Sequence, residues 1–190
     1  MSINSDIDPN LKKHGFGLQP YNEAGDVDYP KFSTSCFARI MKTLQLADTE
    51  AILDVGCGNG RLNTVHIKYF SKIMGIDKFR NPDPRYSSCP GFEFKRSDIF
   101  EITDIFDTIL FMGSFYLYHY YRFVETMLQA KNLLTAAGRI IIIEDKIRNT
   151  PTKTEFGYYN LKTICLNSGL KITKSFIQDD YLEISVIEKL

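Results

Sequence analysis

The sequence predicts an α/β fold built on a mostly parallel sheet, with helices on both faces and an antiparallel hairpin toward the C-terminus. Three observations carry this prediction. The run Ala51-Ile-Leu-Asp-Val-Gly-Cys-Gly-Asn-Gly60 is short and apolar, stops in three glycines at alternate positions, and gives way to a helical pattern from Arg61. That is the pattern of a buried parallel strand turning tightly into a helix. Arg139-Ile-Ile-Ile-Ile143 is continuously apolar, as a strand buried on both faces must be. Residues 171–178 and 181–188 alternate apolar and polar side chains around Asp179-Asp180, the pattern of a hairpin.

With 190 residues the chain is most simply one domain, and its 44% apolar and 13% aromatic residues suit a globular core. No apolar run is long enough for a membrane span. Lys plus Arg equals Asp plus Glu at 23 each, so no bulk charge draws the protein to nucleic acid. Cysteines at 36, 57, 89 and 165 show no C-x-x-C spacing and the histidines at 14, 66 and 119 are scattered, which argues against structural zinc or a disulfide framework. Met1-Ser-Ile-Asn-Ser-Asp lacks the basic start and apolar core of a signal peptide, so a cytoplasmic location is expected.

Taken in order, residues 1–30 form an expected N-terminal arm rich in turn formers and aromatics. Two readings apply: a loosely packed terminus, or a lid in which Phe16, Tyr21 and Tyr29 cover a ligand. Residues 31–46 have helical spacing, followed by the strand at 51–55. Gly56, Gly58 and Gly60 then permit positive φ and close approach of backbone to a ligand. A helix covers Leu62 to Phe70, and Ile73-Met-Gly-Ile76 forms a second strand ending in Asp77. An acid about 20 positions beyond a glycine loop is placed to accept from the hydroxyls of a nucleoside ribose. Three prolines between 78 and 91 disfavour a long helix there. Phe92-Glu-Phe-Lys95 alternates as a third strand, leading to Ser97-Asp98-Ile99, where Asp98 is also suited to capping a turn. Phe106–Met112 is the fourth strand. Phe123 to Leu134 carries a helical pattern expected to end at Ala137-Gly138, before the strand at 139–143. A further helix is expected near 157–168.

The register Asp54-x-Gly56-x-Gly58-x-Gly60 resembles the first motif of the class I S-adenosylmethionine (SAM)-dependent methyltransferases, of the small-molecule type with a minimal Rossmann-like domain. The nicotinamide fingerprint G-x-G-x-x-G would require glycine where Arg61 stands, and the Gly-Lys-Ser/Thr of a phosphate-cradling loop is missing. The resemblance extends over residues 31–190. It implies a single SAM-binding methyltransferase domain with a seven-stranded, mostly parallel sheet ending in an antiparallel hairpin. It also implies S-adenosyl-L-methionine as cofactor, held by Asp54, Gly56, Cys57, Gly58, Gly60, Asp77 with Lys78, Ser97, Asp98, Ile99, Met112 and Gly113. Within that set Asp77 takes the ribose hydroxyls, Asp98 accepts from the adenine amino group, and Ile99 packs on the ring.

Ligands of open parallel sheets bind beyond the carboxyl ends of the strands, which places the aromatic segment Gly113-Ser-Phe-Tyr-Leu-Tyr-His-Tyr-Tyr121 on the acceptor side. His119 is the candidate general base, since its ordinary pKa suits proton removal near neutrality; Glu144 is the other. A histidine among tyrosines is equally suited to packing against a hydroxyl. The resemblance disfavours several acceptors. An adenine-amine enzyme would carry N-P-P-Y in place of Gly113-Ser-Phe-Tyr, a cytosine-ring enzyme a Pro-Cys nucleophile, and a metal-dependent catechol-type enzyme an aspartate at Met112-Gly113. No metal is expected. The expected activity is methyl transfer to a hydroxyl or amine of a small molecule or glycan, with nucleic acid not favoured. The alternatives are a methyltransferase acting on RNA or a nucleoside, a non-catalytic protein of the same fold, and a nicotinamide oxidoreductase, which the glycine register opposes.

Overall fold

A computed structural model describes residues 42–44, 50–60, 70–84, 88–115, 122–145, 160–178 and 182–190. Seven strands form one sheet: β1 (Ala51–Val55), β2 (Lys72–Ile76), β3 (Phe92–Lys95), β4 (Phe106–Met112), β5 (Leu134–Asp145), β6 (Leu170–Gln178) and β7 (Leu182–Lys189). Their spatial order is β3-β2-β1-β4-β5-β7-β6. The first five strands pair in parallel, and β7 runs antiparallel between β5 and β6. The order reverses at β1, so the crevice where ligands bind in such sheets opens at the ends of β1 and β4.

Strand periodicity divides the core into two. Leu53, Val55, Met74, Ile76, Ile109, Phe111, Ile140 and Ile142 face one layer, where they meet the helices α1 (Phe123–Asn132) and α2 (Leu161–Asn167) through Met127, Ala130, Ile164 and Cys165. Ile52, Ile73, Leu110, Ile141, Ile143 and Ile184 face the other, with Leu44 and Phe70. A side chain in either layer contributes about 1.5–3 kcal/mol by leaving water. All four isoleucines of β5 are buried, which is why that strand shows no alternation in sequence. Asn160 caps α2 by accepting from Thr163 N at 3.1 Å. At the opposite end of the sheet from the glycines, Glu50 accepts from Arg139 and, at 2.6 Å, from the Thr108 hydroxyl.

One expected boundary is displaced. Leu134 and Ala137-Gly138 were expected in and at the end of the helix, but α1 stops at Asn132 and Leu134 already pairs with Phe106. Phe106 N–H donates to Leu133 O at 2.8 Å, which draws this stretch onto the sheet edge of β4. Gly138 lies within β5, where a Cβ would stand 3.0 Å from Leu134 Cδ2 and 3.1 Å from Asp107 O. The close approach of Leu134 and the Asp107 carbonyl leaves little room for a Cβ at this position, so the glycine suits strand packing and not helix termination.

Residues 42–44 are helical, as expected. The arm at 1–30, the rest of the 31–46 helix and the helix expected after the glycine loop at 62–69 lie outside the described residues. No helix among the described residues is long and apolar enough to cross a membrane.

Candidate functional site

The chain leaves β1 through Gly56, Gly58 and Gly60, all at positive φ (75°, 64° and 88°). The loop is tied to β2: Gly56 N–H and Cys57 N–H both donate to Ile76 O, at 2.8 and 3.1 Å, and Gly58 N–H donates to Asp77 Oδ2 at 2.9 Å. The first two glycines answer different demands. A Cβ on Gly56 would stand 2.5 Å from Ser114 Cβ, so this glycine exists for packing against β4. A Cβ on Gly58 would meet nothing within 4 Å. Its α-carbon borders open space, the condition for a ligand to approach the backbone.

Asp77, at the end of β2, is buried and holds three backbone donors. Oδ2 accepts from Gly58 N–H, and Oδ1 accepts from Phe79 and Arg80 N–H, each at 2.8 Å. Burial pushes its pKa up from the ordinary 3.8, and the three backbone bonds oppose that without cancelling it. Cys57 is displaced further upward, by burial and by the carboxylates of Asp54 and Asp77, so its sulfur is a neutral thiol. Asp54 itself is buried at the end of β1.

Beyond β3, Asp98 precedes a 3-10 turn, Ile99–Glu101. The Glu101 carboxylate accepts from Asp98 N–H at 3.2 Å and from the Ser97 hydroxyl at 2.7 Å; the Ser97 bond is the main reason its pKa is lowered. Gln129 on α1 donates to the carbonyls of Ile99 and Ile102, at 3.3 and 3.1 Å, so the turn is pinned from the helix side as well. Ile99 is fully buried. Lys78 Nζ donates to Asp98 Oδ2 at 3.3 Å, which brings the residues after β2 against those after β3. Asp98 Oδ1 is buried and accepts no hydrogen bond from the described residues.

At the end of β4, Met112 is half-buried and Gly113 turns at φ 62°, its N–H donating to Ile143 O at 2.8 Å. The Ser114 hydroxyl donates to Val55 O. Phe115 N–H donates to Glu144 Oε1 at 3.0 Å, and Glu144 is only 1% exposed. The Phe115 ring sits between Phe111 and Phe123, at centroid distances of 5.2 and 5.1 Å. Glu144 thus bonds the backbone leading into the acceptor-side segment. His119, with residues 116–121, lies outside the described residues.

The structure therefore gathers Gly56, Cys57, Gly58 and Asp77 into one bonded loop and joins Lys78, Ser97, Asp98 and Ile99 beside it. Met112 and Gly113 stand across the switch point, at the end of the next strand. Ser114 and Gln129 escaped sequence reading. A small residue after Gly113 was a faint signal for the first; the second is an ordinary polar position on an amphipathic helix.

No protein-family model matches the chain, and no curated protein matches it in sequence. Solved structures do match. A Burkholderia thailandensis 1,6-didemethyltoxoflavin-N1-methyltransferase, solved with 1,6-didemethyltoxoflavin and S-adenosylhomocysteine bound, superposes with a TM-score of 0.72 at 15% identity, over 95% of this chain and 88% of that one. The fold is that of the class I methyltransferases. A TehB-like SAM-dependent methyltransferase from Corynebacterium glutamicum gives a TM-score of 0.60 at 19% identity, over 95% and 97% of the two chains. The mitomycin 7-O-methyltransferase gives 0.63 at 15% identity; 83% of this chain matches, and it spans only 54% of that enzyme.

Within this methyltransferase fold, the chain's own residues fit an adenine nucleoside. Among the described residues nothing crowds the Gly58 α-carbon, Asp77 adds an acid beside it, and Asp98 presents a buried oxygen that takes no donor. An amino-bearing base would supply a donor to Asp98 Oδ1, and a ribose hydroxyl would share Asp77 with the backbone donors it already holds. Among the described residues, no cluster of His, Cys, Asp and Glu is arranged to hold a metal ion.

Proposed function

We propose that this protein is a SAM-dependent methyltransferase acting on a hydroxyl or amine of a small molecule or glycan. The observation that supports it most directly is the buried Oδ1 of Asp98, which accepts no bond from the described residues, on a carboxylate paired with Lys78, the residue after Asp77. When bound, SAM supplies a methyl group already activated by sulfonium charge. The chain's part is to bind and align. Gly58 admits the cofactor's approach to the backbone, Asp77 accepts from the ribose hydroxyls, and Asp98 accepts from the adenine amine while Ile99 underlies the ring. Asp54, Gly56, Cys57, Gly60, Lys78, Ser97, Met112 and Gly113 complete the pocket. Correct alignment of nucleophile and methyl is worth about 7–11 kcal/mol in favourable cases.

The acceptor side begins at Ser114 and Phe115, the first tied to β1 by its hydroxyl and the second to β5 by its backbone N–H. The aromatic residues that follow in sequence suit a flat acceptor, in keeping with the small molecules named for the toxoflavin and mitomycin enzymes. His119 is the proposed base. Glu144 is the less suitable of the two candidates, because it is buried and already bonded to Phe115 N–H. Residues 1–30 are proposed as a lid on residues 31–190.

Calorimetry with SAM and S-adenosylhomocysteine tests the cofactor, with binding expected for both; absence of binding overturns the proposal. Mass spectrometry of small-molecule extracts incubated with protein and methyl-labelled SAM then tests the transfer. A labelled product is expected from the wild type, and its loss in His119→Ala with cofactor affinity unchanged is expected if His119 is the base.

A further inference from the structure

The two oxygens of Asp98 stand in unequal settings. Oδ2 accepts from Lys78 Nζ at 3.3 Å, while Oδ1 is buried and takes no bond from the described residues. Everything else about this turn is fixed without Lys78. Glu101 holds the Asp98 backbone N–H, Ser97 holds Glu101, and Gln129 holds the carbonyls of Ile99 and Ile102. Lys78 bonds the side chain through one oxygen and places a positive charge beside it, with a smaller pull on Glu101. An ionised carboxylate is an acceptor with no donor. So arranged, the remaining oxygen rewards a base that presents N–H there and repels one that presents a carbonyl.

We infer that Lys78 is a positioning residue that sets base selectivity: through its ion pair with Asp98 it makes the pocket take a 6-amino purine and refuse a 6-oxo purine. This rests on the proposed SAM site, and the probes separate the two ideas. Lys78 is 59% exposed, so its replacement leaves the core untouched. It stands directly after the buried Asp77, whose three backbone bonds fix where its side chain begins.

The test measures binding of S-adenosylhomocysteine and of its deaminated counterpart, S-inosylhomocysteine, by calorimetry, with ligand-free thermal unfolding as the control. Wild type should prefer the adenosyl compound by roughly tenfold or more, the discrimination of a buried acceptor left facing an acceptor. Lys78→Met should bring the ratio down at least about threefold, mainly by weakening the adenosyl compound, with an unchanged unfolding midpoint. Lys78→Arg, which keeps the charge and can still reach the carboxylate, should restore most of it. Asp98→Asn, whose amide can also donate, should shift preference toward the inosyl compound. An unaltered ratio in Lys78→Met, with both ligands still bound, overturns the role of Lys78 and leaves the SAM reading standing. Failure of wild type to bind either compound overturns both.

Discussion

Gly56 lies against Ser114 so closely that a Cβ on it would stand 2.5 Å from the Ser114 Cβ, whereas a Cβ on its neighbour Gly58 would meet no atom within 4 Å. Two glycines of one loop therefore differ in their surroundings, the first packed against the residue after β4, the second uncrowded by the described residues and proposed for ligand approach. Gly56→Ala should destabilise the fold by about 2–5 kcal/mol, adding overpacking to the strain of positive φ. Gly58→Ala should cost only about 1–2 kcal/mol yet weaken S-adenosylhomocysteine binding by roughly tenfold or more. Urea denaturation and calorimetry on the two variants separate these effects.

Glu144 offers a second separation. Its Oε1 accepts from Phe115 N–H in a fully buried setting. Glu144→Gln retains a carbonyl acceptor there, whereas Glu144→Leu leaves a buried N–H unpaired at a cost of about 1–3 kcal/mol. Denaturation midpoints should therefore fall for leucine and much less for glutamine. Once an acceptor is in hand, turnover retained in Glu144→Gln shows an anchoring role, and turnover lost in this stable variant shows a proton-transfer role.

Through its proposed ribose contact, Asp77 should link cofactor affinity to pH. Its pKa is raised from 3.8 because burial outweighs the backbone bonds it accepts. Ionising it costs the folded protein more than the unfolded chain. The stability it contributes is thus fully present below the unfolded value of 3.8 and is lost as pH rises through the raised folded value. Ribose recognition needs the ionised form, so S-adenosylhomocysteine affinity should move the other way, falling as pH drops through that same window. Calorimetry from neutral pH down toward the ordinary carboxylate value checks this, and Asp77→Asn should bind weakly at every pH with the dependence removed.

Arg139 and Glu50 pair at the end of the sheet remote from the glycines. Arg139→Leu removes the arginine from a largely buried glutamate and from the Thr108 hydroxyl. It should lower stability by about 1–3 kcal/mol while leaving the dissociation constant for S-adenosylhomocysteine unchanged. A parallel loss of affinity would show that the two ends of β1 are coupled.

The sequence alone determined the sheet and the strand ends at which the proposed cofactor residues stand. Val55 to Gly60, Ile76-Asp77 and Lys95 to Asp98 are local patterns: an apolar strand, then a turn former or an acid, with everything within a few residues. An unbroken apolar run likewise placed Ile140–Ile143 in a doubly covered strand without reference to any partner. Only the tertiary structure decided what each residue at those stations does. That a Cβ on Gly56 would strike Ser114, while one on Gly58 would not, depends on where β4 ends, at Met112, far later in the chain. The bond from Glu144 to Phe115 spans 29 residues, and the pin from Gln129 to Ile99 spans 30. The premature stop of α1 has the same cause, because helical spacing through Leu134 is overruled by the hydrogen bond that Phe106 donates to Leu133. Side-chain patterning reports which face of an element is apolar; it carries no information on which distant backbone group a buried carboxylate or glycine will meet.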